Sequence, residues 1–183
     1  MPAMRIAHLV SALVVASTLI VASVADAQIY PRFKDQVSRE VFHELVTLPY
    51  YGVFDQLGFE VDRGTVTLTG QVRRPTLKRD AENVVKRVRN VEQVVNEIEV
   101  LPVSPSDDRI RLATYRAIYG HDTLQRYAIQ AMPPIHILVK NGRVTLVGWV
   151  GSKMDKTIAS MQARGVSGVF EVTDQLQVEE QRR

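Results

Sequence analysis

The sequence predicts an α+β fold of two tandem α-β-β-α-β units, each a three-stranded mixed sheet with two helices on one face. Three observations predict it. Residues 57–100 recur 78 positions later as residues 135–178, and the 44 ungapped pairs contain 13 identities. Those identities fall where a backbone needs a particular residue: Gly64, Val66, Leu68, Gly70 and Val72 stand over Gly142, Val144, Leu146, Gly148 and Val150. A repeat of this kind marks a duplicated domain. Within each copy, stretches with apolar residues at helical spacing alternate with runs of period two, so helices and strands interleave. Every predicted strand has only one apolar face, which obliges both helices of a unit to cover the same side of its sheet.

Residues 1–27 read as a secretory signal peptide. Arg5 lies in a short leading segment, and Leu9 to Val24 is apolar apart from Ser and Thr. Ala25-Asp26-Ala27 then supplies small residues at the positions a signal peptidase needs, with cleavage expected before Gln28. About 16 apolar residues without a basic stop signal are short for a spanning helix. The mature protein is expected in the periplasm.

The first unit is expected over residues 28–101. Asp35 is a plausible N-cap for a helix carrying Val37, Val41, Leu45 and Leu48, ended by Pro49. Leu57, Phe59 and Val61 alternate with polar residues up to a tight turn at Arg63-Gly64, and Val66, Leu68, Gly70 and Val72 alternate after it. That is a hairpin with one buried face. Gly70 falls on this face, where the missing side chain would let a helix backbone approach. Pro75 opens a second helix with the stripe Leu77, Ala81, Val84 and Val88. Asn90 tolerates the left-handed conformation that ends helices, and a last strand follows with Val94, Ile98 and Val100.

Residues 102–106 form a short Pro/Ser linker, and residues 107–183 the second unit. Asp107 or Asp108 is expected to cap a helix carrying Ile110, Leu112, Tyr115, Ile118 and Tyr119, followed by a long loop over residues 120–134. Asn141-Gly142 is a stronger hairpin signal than its counterpart. In the next helix the apolar stripe reads Met154, Ile158, Met161 and Gly165. It matches the first copy at an offset of 77, with one residue lost before the helix and one regained near Gly165–Gly168.

Bulk chemistry excludes several functions. The chain has no cysteine, hence no disulfide, no thiolate metal site and no lipid-modified cysteine. A net charge of +3 with few aromatic residues is no nucleic-acid signature. The excess lies in one half: residues 28–101 carry 11 basic and 11 acidic side chains, residues 102–183 carry 11 and 8. His43, His121 and His136 lack partners at ligand spacing, so no metal is expected. No serine sits in a nucleophile elbow and no Gly-rich loop joins a strand to a helix. Neither catalysis, nor a cofactor, nor a small-molecule substrate is expected.

The main candidate surfaces, two in number, lie in the second unit. Its first helix and the following loop mix Arg109, Arg111, Arg116 and Arg126 with Tyr115, Tyr119 and Tyr127, the blend of basic and aromatic side chains that interfacial helices use. The outward face of its hairpin carries Leu138, Val147 and Trp149, where the first copy has Glu60, Thr69 and Gln71. Such an apolar sheet face needs a cover: the first unit, a membrane or a protein partner. In the first unit, the run from Arg73 to Arg89 is read as a solvated helix face or a contact for an anionic surface.

Together with an export signal and duplicated units, the runs Gly64-Thr65-Val66-Thr67-Leu68-Thr69-Gly70 and Asn141-Gly142-Arg143-Val144-Thr145-Leu146-Val147-Gly148 resemble the BON domain (bacterial OsmY and nodulation domain). The likeness spans nearly all of the mature chain and takes in Asn90-Val91 and Gly168-Val169. It implies a periplasmic or outer-membrane-associated, non-enzymatic protein that binds phospholipid or other envelope surfaces and serves envelope or osmotic stress resistance. Dual-domain members include lipoproteins whose second domain carries the lipid site. This chain lacks their lipid-bearing cysteine, so membrane contact here must come from side chains. The expected partner is an anionic phospholipid surface, bound peripherally; the alternative is an envelope protein docked on the sheet face of the second unit.

Overall fold

The computed structural model describes residues 35–179. The expected signal segment and its cleavage site lie outside the described residues. The first unit runs α1 (Gln36–Val46), β1 (Gln56–Asp62), β2 (Thr65–Val72), α2 (Pro75–Val85), β3 (Gln93–Asn96) and β4 (Glu99–Val100). The second runs α3 (Pro105–Tyr119), α4 (Gln125–Ala128), β5 (Ile135–Lys140), β6 (Arg143–Val150), α5 (Lys153–Arg164) and β7 (Glu171–Val178). In each, an antiparallel hairpin gains a parallel third strand along the hairpin's second member, giving two mixed sheets.

The local signals act as their chemistry requires. The Asp35 carboxylate accepts from the Ser38 N–H at 2.7 Å, capping α1, and the helix stops before Pro49. Arg63-Gly64 and Asn141-Gly142 all have positive φ, the geometry of a two-residue hairpin turn. Asn90 has φ 65° and its counterpart Gly168 has φ 88°. Each helix pair packs on one side of its own sheet, around Val41, Leu68, Leu77 and Ile98 in the first unit and Ile118, Ile137, Leu146 and Leu176 in the second.

Several expectations are corrected. The last strand of the first unit breaks into β3 and β4, because Asn96 turns its side chain back: Nδ2 donates to the Lys78 carbonyl and Oδ1 accepts from the Ile98 N–H. Gly70 does not admit a helix. A Cβ there would lie 2.1 Å from the Gln56 carbonyl oxygen, and at Gly148 one would lie 1.9 Å from that of Pro134. What approaches is the neighbouring chain at the start of each hairpin, and both glycines have φ above 100°. The cap of α3 is Ser104, with Pro105 in its first turn, so the helix starts within the Pro/Ser stretch. Within residues 120–134 the chain makes one extra turn, α4.

The largest correction concerns α5. Its buried residues are Asp155, Ala159, Ser160 and Ala163, while Met154 and Met161 are 66% and 63% exposed. The inward positions Ala159 and Ala163 stand 78 residues after Ala81 and Val85, so the repeat runs through the helix without insertion or deletion.

The units are joined through the segment that precedes β1. The Ile137 N–H donates to the Val53 carbonyl at 2.7 Å, which covers part of the free edge of β5. Phe54 packs against the second core, edge-on to Tyr115. His136 Nδ1 lies 2.6 Å from the Asp55 carbonyl, and its ring stacks on Tyr51. Arg73 with Asp108, and Lys140 with Glu99, pair across the junction.

Candidate functional site

Helix α3 sorts the predicted residues by face. Arg109, Leu112 and Arg116 follow one another at intervals of three and four, which aligns them on one side of the helix. All three are exposed, Leu112 at 49%. Neither arginine forms an ion pair among the described residues.

The other face of α3 is interior. Arg111 is only 2% exposed, and its guanidinium donates to the Val139 carbonyl and to the Asp108 carboxylate, both at 2.6 Å. Tyr119 is buried; its hydroxyl donates to the Ile135 carbonyl and accepts from the Ile135 N–H. Burial pushes the Tyr119 hydroxyl pKa upward, so it stays protonated. Tyr115 is half-buried between Phe54 and Tyr119. Asp107, 2% exposed, accepts from the Asn141 and Gly142 N–H groups and ties α3 to the hairpin turn. These residues hold the helix down; a flat surface cannot reach them.

Arg126 sits elsewhere. It lies over the Tyr127 ring and pairs at 2.6 Å with the buried Asp155, which also accepts from Tyr127 and Ser152. Its charge is therefore committed to the start of α5.

A feature missed at the sequence level lies beside α3. Helix α5 packs against α3 over the same sheet and turns Met154, Thr157, Met161 and Arg164 outward at intervals of three and four, with Lys153 adjacent. Neither Lys153 nor Arg164 forms an ion pair among the described residues. The helical layer of the second unit thus presents Leu112, Met154 and Met161 among four basic side chains. On α1 and α2 no large apolar side chain is exposed. The basic run of the first unit is partly spent internally: Arg73 pairs with Asp108, Arg74 lies over Tyr50, Arg79 pairs with Asp80, and Lys86 pairs with Glu82. The Lys86 and Asn96 hydrogen bonds hold the Glu82 carboxyl below its ordinary pKa.

The second predicted surface is only partly open, and residues of the first unit border it. Leu138 is 5% exposed. Val147 and Trp149 are half-buried and line a groove of about 300 Å³ over which α1 and β1 lean. His136 borders the same groove, where burial lowers its pKa; Nδ1–H donates to the Asp55 carbonyl. Among the described residues no group of His, Asp or Glu is placed to hold a metal ion, and no helix is long and apolar enough to cross a membrane.

A family model described as "BON domain" matches residues 55–102 and 121–180, the β-β-α-β portion of each unit, and leaves α1 and α3 outside the matched segments. Two solved structures of CdsD, a structural protein of the type III secretion system of Chlamydia trachomatis, are similar to the chain. One, of the C-terminal domain, is 13% identical with a TM-score of 0.29, covering 81% of this chain and 100% of that one. The other is 14% identical with a TM-score of 0.29, covering 80% and 94%. No curated protein matches.

Proposed function

The chain belongs to the BON domain family, and from that premise we propose that it is a non-enzymatic envelope protein that binds anionic phospholipid surfaces peripherally, in the service of envelope or osmotic stress resistance. Domains of this family are binding modules of envelope proteins, and the site is the outer helical layer of the second unit. One observation carries the reading: Arg109, Leu112 and Arg116 share an exposed face of α3, and neither arginine is ion-paired among the described residues. Basic side chains near a charged bilayer each contribute about 1 kcal/mol, so Arg109, Arg116, Lys153 and Arg164 together supply about 4 kcal/mol. Leu112, Met154 and Met161 add shallow apolar contact. Binding of that strength is reversible and weakens with salt.

Docking of an envelope protein on Leu138, Val147 and Trp149 is the weaker reading, since Leu138 is buried and the first unit overhangs the other two.

Flotation of the chain from Gln28 onward with anionic and with zwitterionic vesicles, at low and high salt, tests the proposal. Flotation confined to anionic vesicles and lost at high salt is the expected result. Equal flotation with both vesicle types, or none with either, would overturn it.

A further inference from the structure

The groove between the units is lined mainly by apolar side chains. Its floor is the outer face of β6, with Val147 and Trp149; its walls are Phe42 and Val46 from α1 and Phe59 from β1; Met132 also lines it. Among the described residues no Lys, Arg, Asp or Glu lines it. Its amide side chains among the described residues are Gln56, Gln175 and Gln177. The larger groove between α1 and α2, about 680 Å³, is lined instead by charges of both signs, including Glu40, Glu44 and Arg87.

Dimensions and chemistry together select an occupant. At about 300 Å³ the groove lies at the small end of the range of ligand pockets, roughly 300–1,000 Å³, which favours one acyl chain over two. An ion would find no counter-charge there. A peptide would bring backbone N–H and C=O groups that need partners, and the floor and walls are mainly side-chain hydrocarbon. A hydrocarbon chain needs none, and Gln175 and Gln177, which stand beside Val147 and Trp149 on β7, offer amide groups to glycerol and ester oxygens. Apolar concavities with a few polar groups are the usual form of a small-ligand site.

We propose that this inter-unit groove binds the single acyl chain of a monoacyl phospholipid, with Val147 and Trp149 beneath the chain and Phe42, Val46 and Phe59 beside it. The proposal rests on the phospholipid reading above but uses a different surface, so the two fail separately.

Trp149 is the chain's single tryptophan and reports directly. The chain from Gln28 onward is titrated, below the micelle threshold, with dodecanoyl lysophosphatidylcholine brominated on the acyl chain, and with glycerophosphocholine as the chainless control. Saturable quenching of Trp149 by the brominated lipid, and none by the control, is expected. Val147→Gln and Val46→Gln place a polar group on floor and wall, and each should weaken binding roughly tenfold, with circular dichroism showing the fold retained. Absence of quenching, equal quenching by the control, or unaltered affinity in both folded variants would overturn the proposal. Quenching without vesicle flotation would leave the groove standing and remove the surface reading; flotation without quenching would do the reverse.

Discussion

Charge reversal at Arg109 and Arg116 is expected to release the protein from anionic vesicles without unfolding it. Each basic side chain near a charged bilayer contributes about 1 kcal/mol, and a glutamate in its place turns that attraction into a comparable repulsion, a swing of about 2 kcal/mol per position. The double variant therefore loses about 4 kcal/mol, a fall of roughly a thousandfold in partitioning. Both arginines are exposed and make no ion pair among the described residues, so stability should change by no more than about 0.5 kcal/mol per substitution. Arg111, between them in sequence, should behave in the opposite way. Arg111→Glu loses a charge-assisted bond to the Val139 carbonyl and buries a carboxylate beside Asp108. The charged hydrogen bond alone is worth about 1.5–3 kcal/mol, and an uncompensated buried charge costs about 3–5 kcal/mol. That loss approaches the whole stability of a small protein. The assay pairs vesicle flotation at low salt with thermal melting by circular dichroism. A double variant that still floats refutes the assignment. So does an Arg111→Met protein that melts like the parent yet no longer floats, since contact would then run through the face that is buried.

Other consequences concern what holds the site in place. Gly148→Ala puts a Cβ 1.9 Å from the Pro134 carbonyl at φ 125°, and should lower stability to urea by about 3 kcal/mol or more; an unchanged midpoint would mean that the start of β5 moves freely. Asp107→Ala strands the Asn141 and Gly142 N–H groups and should cost roughly 3 kcal/mol, whereas Asp107→Asn keeps one acceptor and should cost less; equal losses in urea melts would contradict this account of the turn. Burial lowers the His136 pKa, so the folded protein binds this proton less readily than the unfolded chain does. Stability is then full above the unfolded value of about 6.5 and falls as pH drops below it, by at most about 1.4 kcal/mol per pH unit. The groups facing the ring are the Asp55 and Gly52 backbone and the Tyr51 side chain. Replacing His136 by Gln should flatten that slope in melts between pH 6.5 and 5, and an unaltered slope would assign it to other groups.

The candidate site was only half legible in the sequence. Spacing marks Arg109, Arg111 and Arg116 alike as basic positions of one helix, but it cannot say that Arg111, Tyr119 and Leu138 face inward. A buried arginine resembles an exposed one until its carbonyl partner is known, and the Val139 carbonyl lies 28 residues away in the chain. The outward methionines of α5 were misread because hydrophobicity favours the most apolar stripe as the inner one. Asp155, Ala159, Ser160 and Ala163 face inward instead, and Asp155 is held there by Tyr127 and Ser152. One signal was available: Ala159 aligns with Ala81 when the offset of 78 is kept.

By itself the sequence determined the duplicated architecture, the two hairpins and their turns, the cap at Asp35, the helix start at Pro75, and the family. Those features rest on short-range effects: side-chain period, allowed φ, and hydrogen bonds between near neighbours. Only the tertiary structure decided which face of α3 meets solvent, that α5 shows methionines to it, and that the first unit lies over Val147 and Trp149. Each of these depends on contacts between residues far apart in the chain, such as Val53 with Ile137 and Asp55 with His136, and no local pattern encodes them.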